Sequence, residues 1–277
     1  MRAGAIPEAL ELSSELMRRR PAEAYVLQFR AQVLVKAERA DEAVVTMEKA
    51  INLAPRDSQL RVSSAFVYRD LGRPDDALAE ANRACELSPG DAGVLSLRAQ
   101  VLQDLRRFGE AVESLDRALA LDPRAAWLHG EKAWALHRAG RPEEALEAVA
   151  KGLELQPSDQ GLLEREARLL IDLDRLLEAI DVCDAILLAD PTCGETFVTR
   201  AAALGSLGRN DEALLDVDRG LSLDPDDPRS YLIRGNILSR LGRFEEAVSA
   251  YDRAYEMQPH PFVEQRRAEA LQQLQKR

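Results

Sequence analysis

Three histidines, His129, His137 and His260, and three cysteines, Cys85, Cys183 and Cys193, carry the side chains that could ligate a metal or act as nucleophiles. Their spacing argues against both roles. No cysteine pairs as CxxC, none clusters with a histidine, and no histidine belongs to a group with metal-ligand spacing. There is no glycine-rich phosphate loop, no dinucleotide fingerprint and no GxSxG elbow. Acids abound, but carboxylates on an open helix surface lack the enclosing pocket that raises a catalytic pKa. The residues therefore predict no enzyme, no cofactor and no metal. The cysteines read as small apolar fillers in a chain kept in a reducing compartment.

The elements that must position these side chains are helical. Aromatics make up 5% of the 277 residues, while alanine and leucine abound, which favours helices packed closely through small residues. The formal charge of −11 repels phosphate backbones and makes nucleic acid a poor partner. No run of 18 apolar residues exists, so membrane insertion is not expected. The first ten residues lack a secretory apolar segment, and a cytoplasmic location follows as the expectation.

Periodicity organises the rest. Prolines stand at 21, 55, 89, 123, 157, 191, 225 and 259, each 34 residues after the last. Twelve residues before each comes an alanine, Ala9, Ala43, Ala77, Ala111, Ala145, Ala179, Ala213 and Ala247, and an acid precedes each alanine. A second small-residue column runs Ala31, Ala65, Ala99, Ala133, Ala167, Ala201 and Gly235, followed three residues later by a large residue such as Leu34 or Leu238. Each unit reads as two short amphipathic helices, A and B; in the third, helix A spans 92–105 and helix B 109–121. Small side chains let A and B approach closely where they cross. Gly72, Gly140, Gly208 and Gly242 fall where helix A wants a left-handed terminator. The phased proline follows helix B, which it cannot continue. Seven arginines (39, 73, 107, 141, 175, 209 and 243) each stand three residues before the acid column, so capping plus an ion pair explains them better than a phosphate site does.

This pattern resembles the tetratricopeptide repeat (TPR) family, over essentially the whole chain. The family's bulky residue at position 4, small ones at 8, 20 and 27, large ones at 11 and 24 and proline at 32 are best matched by Tyr231, Gly235, Leu238, Ala247, Tyr251, Ala254 and Pro259. Arg61 and His129 at position 4, and Gly152 and Ile186 at position 27, depart from it. The resemblance implies an all-α, right-handed α-α superhelix, a TPR solenoid of helix–turn–helix repeats. Its seven full repeats are 24–57, 58–91, 92–125, 126–159, 160–193, 194–227 and 228–261. Residues 1–23 would be a truncated repeat holding helix B alone. Residues 262–277 would form a capping helix in which Ala268 and Leu271 take the small–large spacing and Arg267, Gln272, Gln275 and Lys276 face outward. Residues 2–9 align with 138–145, so the chain opens inside a repeat's turn. It is then a fragment of a longer protein, or residues 5–19 are an exposed docking helix able to join a second copy.

In this family, positions 2, 5, 9, 12 and 13 of helix A line a concave groove that takes peptides. Here those positions hold Tyr25, Phe66, Trp127, Trp134, His137, Arg138 and Arg168, the candidate partner-binding residues. Trp127 and Trp134 either anchor a ligand or pack half-buried against the adjacent repeat. Neither the Lys/Asn/Arg carboxylate set of TPR co-chaperones nor an asparagine ladder is present. Repeats five and six each hold eight acids against three arginines, either as a solvated outer face or to steer a basic partner. The expected function is a non-enzymatic scaffold or adaptor binding a protein or peptide in the groove. Alternatives are a regulatory or substrate-recruiting region of a larger enzyme, and a self-assembling oligomer.

Overall fold

Helices of 13 and 14 residues alternate in step with the 34-residue register. The computed structural model describes residues 5–276, and every regular element among them is an α-helix. They fall into two compact units, up to Gly140 and from Arg141 onward. The first contains α1 (Ala5–Arg19), α2 (Ala24–Lys36), α3 (Ala40–Leu53), α4 (Ser58–Asp70), α5 (Pro74–Leu87), α6 (Ala92–Asp104), α7 (Phe108–Leu121) and α8 (Ala126–Arg138). The second contains α9 (Pro142–Leu155), α10 (Gln160–Asp172), α11 (Leu176–Ala189), α12 (Gly194–Ser206), α13 (Asn210–Leu223), α14 (Pro228–Arg240), α15 (Phe244–Met257) and α16 (Pro261–Gln275). Even-numbered helices are of type A and odd-numbered ones of type B. In the third repeat the observed turn begins one residue earlier than the sequence suggests, because Leu105 already leaves the helix and Phe108 opens the next one.

Local chemistry sets the ends. Asp57, Asp91, Asp159 and Asp227 precede A helices and accept hydrogen bonds from first-turn backbone N–H groups, each worth about 1 kcal/mol against alanine. At the other end of helix A the chain turns through a left-handed residue. Arg39 N–H then reaches back to the Leu34 carbonyl at 2.9 Å, Arg73 to Tyr68 at 2.9 Å and Arg107 to Leu102 at 2.8 Å. Gly72, Gly140, Gly208 and Gly242 take this conformation as expected, and so do Glu38, Arg106 and Asp174.

The periodic arginines then close the first turn of helix B. Arg39 grips Glu42 through two hydrogen bonds of 2.6 and 2.7 Å, and Arg107–Glu110, Arg175–Glu178 and Arg243–Glu246 repeat the geometry. These pairs are exposed, so each stabilises by less than about 1 kcal/mol.

Packing follows the two small-residue columns. Ala43, Ala77, Ala111, Ala145, Ala179, Ala213 and Ala247 are fully buried, as are Ala31, Ala65, Ala99, Ala133, Ala167 and Ala201. A larger side chain there would overpack the crossing by about 1–3 kcal/mol. A second ladder stitches neighbouring hairpins together. Lys132 reaches Asp116 at 2.5 Å, Arg200 reaches Asp184 at 2.5 Å and Arg234 reaches Asp218 at 2.7 Å, while Arg200 also pairs with Asp216 of its own hairpin at 2.7 Å. Arg61, which replaces a bulky apolar residue, extends instead to the buried carboxylate of Glu80 at 2.9 Å.

At the last helix the expected packing is corrected. Ala268 is exposed, while Val263 and Ala270 bury against the preceding hairpin with Leu271 half-buried beside them. Arg267 does not face outward freely; it is half-buried and paired with Asp252. With no helix following in the described chain, α16 packs by one stripe, and Val263 and Ala270, two turns apart, share it.

Candidate functional site

The structure distributes the candidate residues over both units. Tyr25 opens α2, Phe66 lies midway along α4, and Trp127, Trp134, His137 and Arg138 share α8, all in the first unit; Arg168 lies on α10 in the second. Tyr25, Phe66 and Trp127 keep 57%, 43% and 52% of their surface exposed. Large rings in water leave apolar area available for a ligand to cover.

Each is held differently. The Tyr25 hydroxyl donates to Asp57 at 2.5 Å, and this hydrogen bond to the carboxylate raises the phenol pKa above its ordinary value. Asp57 also caps α4, so Tyr25 is moored to the start of the next A helix. The Arg69 guanidinium sits 5.9 Å from the Phe66 ring. Arg69 is itself fixed across to α6 by Asp104 at 2.6 Å and Gln100 at 3.1 Å.

The two tryptophans part company. Trp127 stays open. Trp134 is half-buried and meets Phe108, the first residue of α7 in the preceding hairpin, edge-on with centroids 5.8 Å apart and an interplanar angle of 69°. The Arg138 guanidinium lies 5.8 Å from the Trp134 ring and 5.6 Å from that of Phe108, forming a cation–π cluster. His137 is half-buried in the last turn of α8. In the second unit, Arg168 pairs with Glu195 at 2.9 Å, and Arg229 approaches the same carboxylate at 3.7 Å.

Three residues of this surface escaped the sequence reading. Phe29, which lines a cleft with Phe66, and Phe108, which meets Trp134, lie off the expected stripe. Arg229 occupies the same repeat position as Tyr25 and Trp127, so reading that column to its end would have found it.

Two of the three thiols are quenched by burial. Burial pushes the Cys183 thiol up to about 12 and raises that of Cys85, so neither is a thiolate at neutral pH. Among the described residues no group of three or more His, Cys, Asp or Glu is placed to hold a metal ion, and no helix is long and apolar enough to cross a membrane.

Paired helices in a strict repeat, with aromatics and arginines along the A helices, define an all-α helical-repeat protein. The tetratricopeptide repeat family matches residues 34–101, 96–160, 131–192 and 198–261, and the chain belongs to that family. Its members are generally non-catalytic protein-interaction modules. No curated protein matches the chain. Solved structures do. A tetratricopeptide repeat protein from Parabacteroides merdae ATCC 43184 superposes with a TM-score of 0.76 at 16% identity, covering 90% of this chain and 98% of that one. Yeast Tom70 gives 0.66 at 16% identity, with 97% of this chain and 58% of that one covered. PilW, described as a widely conserved type IV pilus biogenesis factor, gives 0.65 at 20% identity, covering 75% and 96%. At such identities the likeness shows the fold.

Proposed function

We propose that this chain is a non-catalytic protein-interaction scaffold that holds a peptide or protein partner along the exposed stripe of its A helices. The observation that carries this reading is Trp127, a large ring left half exposed at the start of α8. Tyr25 and Phe66 extend the apolar stripe within the first unit, and the exposed Arg138 adds a cation. Binding energy concentrates at rings and guanidinium groups of this kind. Arg168 offers a guanidinium from the second unit's own stretch of the stripe, where a partner carboxylate competes with Glu195. The charge of −11 favours protein over nucleic acid as the partner.

Capture from lysate by immobilised wild type, Trp127→Ala and Leu188→Ala tests this; Leu188, 87% exposed on α11, is the control for a generally sticky leucine. A partner lost with Trp127→Ala and kept with Leu188→Ala supports the stripe. Equal recovery by all three proteins sinks it.

A further inference from the structure

A ladder of cations ties helix A of one hairpin to helix B of the hairpin before it. The cation stands at the seventh position of helix A, and its acceptor lies 16 residues earlier. Arg30 donates to Ser14 at 2.8 Å, Arg98 to Asn82 at 2.8 Å, Arg200 to Asp184 at 2.5 Å and Arg234 to Asp218 at 2.7 Å. Lys132 pairs with Asp116 at 2.5 Å, and Arg267 with Asp252. On α10 both ends change together: the seventh residue is Glu166 and the residue 16 earlier is Ala150, so no acceptor is left behind. On α4 only one end has changed. Its seventh residue is Ser64, while the acceptor, Glu48 of α3, is kept.

Both ends of that rung are left over. Ser64 is 1% exposed, yet its Oγ has no hydrogen-bond partner among the described residues. A buried hydroxyl in that state is costly and rare. The Glu48 carboxylate makes no hydrogen bond or ion pair among the described residues. Arg61, one turn before Ser64, replaces only part of the missing cation. Arg200 bridges Asp184 of the preceding hairpin and Asp216 of its own, whereas Arg61 reaches Glu80 of its own hairpin alone. Beside Ser64 opens a cleft of about 580 Å³ between α3, α4 and α5, lined by Glu48, Arg61, Tyr68, Asp76, Glu80 and Arg83. Asp76 is paired with Arg73, and Glu80 with Arg61 and Arg83, so Glu48 is the lining charge without a counter-ion.

We propose that this cleft receives the guanidinium group of an arginine carried by a partner protein, which completes the missing rung between Glu48 and Ser64. The chain itself supplies the template, since four of the seventh-position cations named above on α2 to α14 are arginines. A guanidinium has donors enough to serve two acceptors at once, as Arg200 does; an ammonium is a compact point charge. A peptide-borne arginine brings no carboxylate to a cleft already lined by three, whereas free arginine brings one. The inference rests on the scaffold reading only in taking the partner to be a protein, and it does not use the Trp127 ring.

The tripeptide acetyl-Gly-Arg-Gly-amide is titrated into the full chain and followed by backbone amide chemical shifts. Saturable shifts are expected in α3, α4 and α5. The matching citrulline tripeptide, of the same shape without the charge, produces none. Glu48→Gln, at an exposed position, weakens binding at least about threefold. Ser64→Arg, which supplies the rung from the chain itself, abolishes it; should that variant melt below wild type, Glu48→Gln decides. Trp127→Ala binds the tripeptide as wild type does, so failure of the stripe and failure of this cleft are separate results. Absence of saturable shifts, equal shifts with the citrulline tripeptide, or unchanged affinity in Glu48→Gln overturns the proposal. So does tighter binding of free L-arginine than of the tripeptide, because the cleft then serves a small molecule.

Discussion

A Cβ placed on Gly235 would lie 2.5 Å from Cε1 of Tyr251. The other repeats carry alanine at that crossing, facing Met47, Ala81, Leu115, Val149, Cys183 or Val217 in place of the tyrosine. The ring is fully buried, and its hydroxyl is tied to Asn236 at 2.9 Å, so it cannot withdraw. Gly235→Ala is therefore expected to destabilise by about 1–3 kcal/mol through overpacking. In a Tyr251→Leu background the same change becomes neutral or favourable, since alanine exceeds glycine in helix propensity by about 1 kcal/mol. A double-mutant cycle by urea unfolding reads the coupling. Strictly additive effects would show that the ring does not dictate the glycine.

The left-handed residues that end the A helices give a second test. Glu38, Arg106 and Asp174 hold φ of 59°, 58° and 58°, where four other repeats use glycine. An L-residue there strains its Cβ against the following carbonyl by about 1–2 kcal/mol, partly offset by the greater unfolded-state entropy of glycine. Glu38→Gly, Arg106→Gly and Asp174→Gly should each gain about 0.5–1 kcal/mol in urea denaturation. Gly72→Ala should lose about 1 kcal/mol through the backbone alone, because a Cβ on Gly72 has nothing within 4 Å. A loss on replacing all three side chains would reveal contacts that outweigh the strain.

The hairpins were legible because their signals are local: a proline that cannot continue a helix, and small residues at every crossing. What escaped depends on partners outside a hairpin. Trp134 meets Phe108, which lies 26 residues earlier at the start of α7, a contact that the geometry of one helix alone does not encode. Ala268 and Leu271 carry an A-helix spacing, yet α16 packs on the preceding hairpin, α14 and α15, and turns Val263 and Ala270 toward it. Glu38, Arg106 and Asp174 give no residue-type warning of a left-handed turn; only their register with the glycines does. No shift in composition marks the division at Gly140.

Stability near neutral pH should respond to Glu166. It stands on α10 at the repeat position that holds Arg30, Arg98, Lys132, Arg200 and Arg234 elsewhere. Burial raises its carboxyl above the ordinary 4.5, a shift opposed by Arg175 and reinforced by Glu178. The folded chain therefore holds this proton more tightly than the unfolded chain. Its contribution is fully present below pH 4.5 and is lost as the pH climbs through the raised value. Glu166→Gln should raise Tm at pH 7, and its advantage over wild type should shrink toward zero as the pH falls below the ordinary carboxyl range. An advantage that does not change with pH would mean that packing, not charge, limits this position.

Trp127 and Trp134 stand seven residues apart on one helix face and should separate cleanly in experiment. Trp134→Ala removes the edge-on contact with Phe108 and the cation–π contact with Arg138, a loss of about 1–3 kcal/mol. Trp127→Ala should stay within about 0.5 kcal/mol of wild type, as exposed substitutions usually do. Single-tryptophan proteins make the distinction visible without a partner. Trp134→Phe leaves Trp127 as the reporter, which acrylamide should quench readily; Trp127→Phe leaves Trp134, which should be shielded. A bound partner then protects Trp127 and hardly alters Trp134, because a side chain already engaged within its own unit has little surface left to offer. Equal quenching of the two reporters in the free chain would remove the basis for assigning the open ring to binding and the packed ring to the fold.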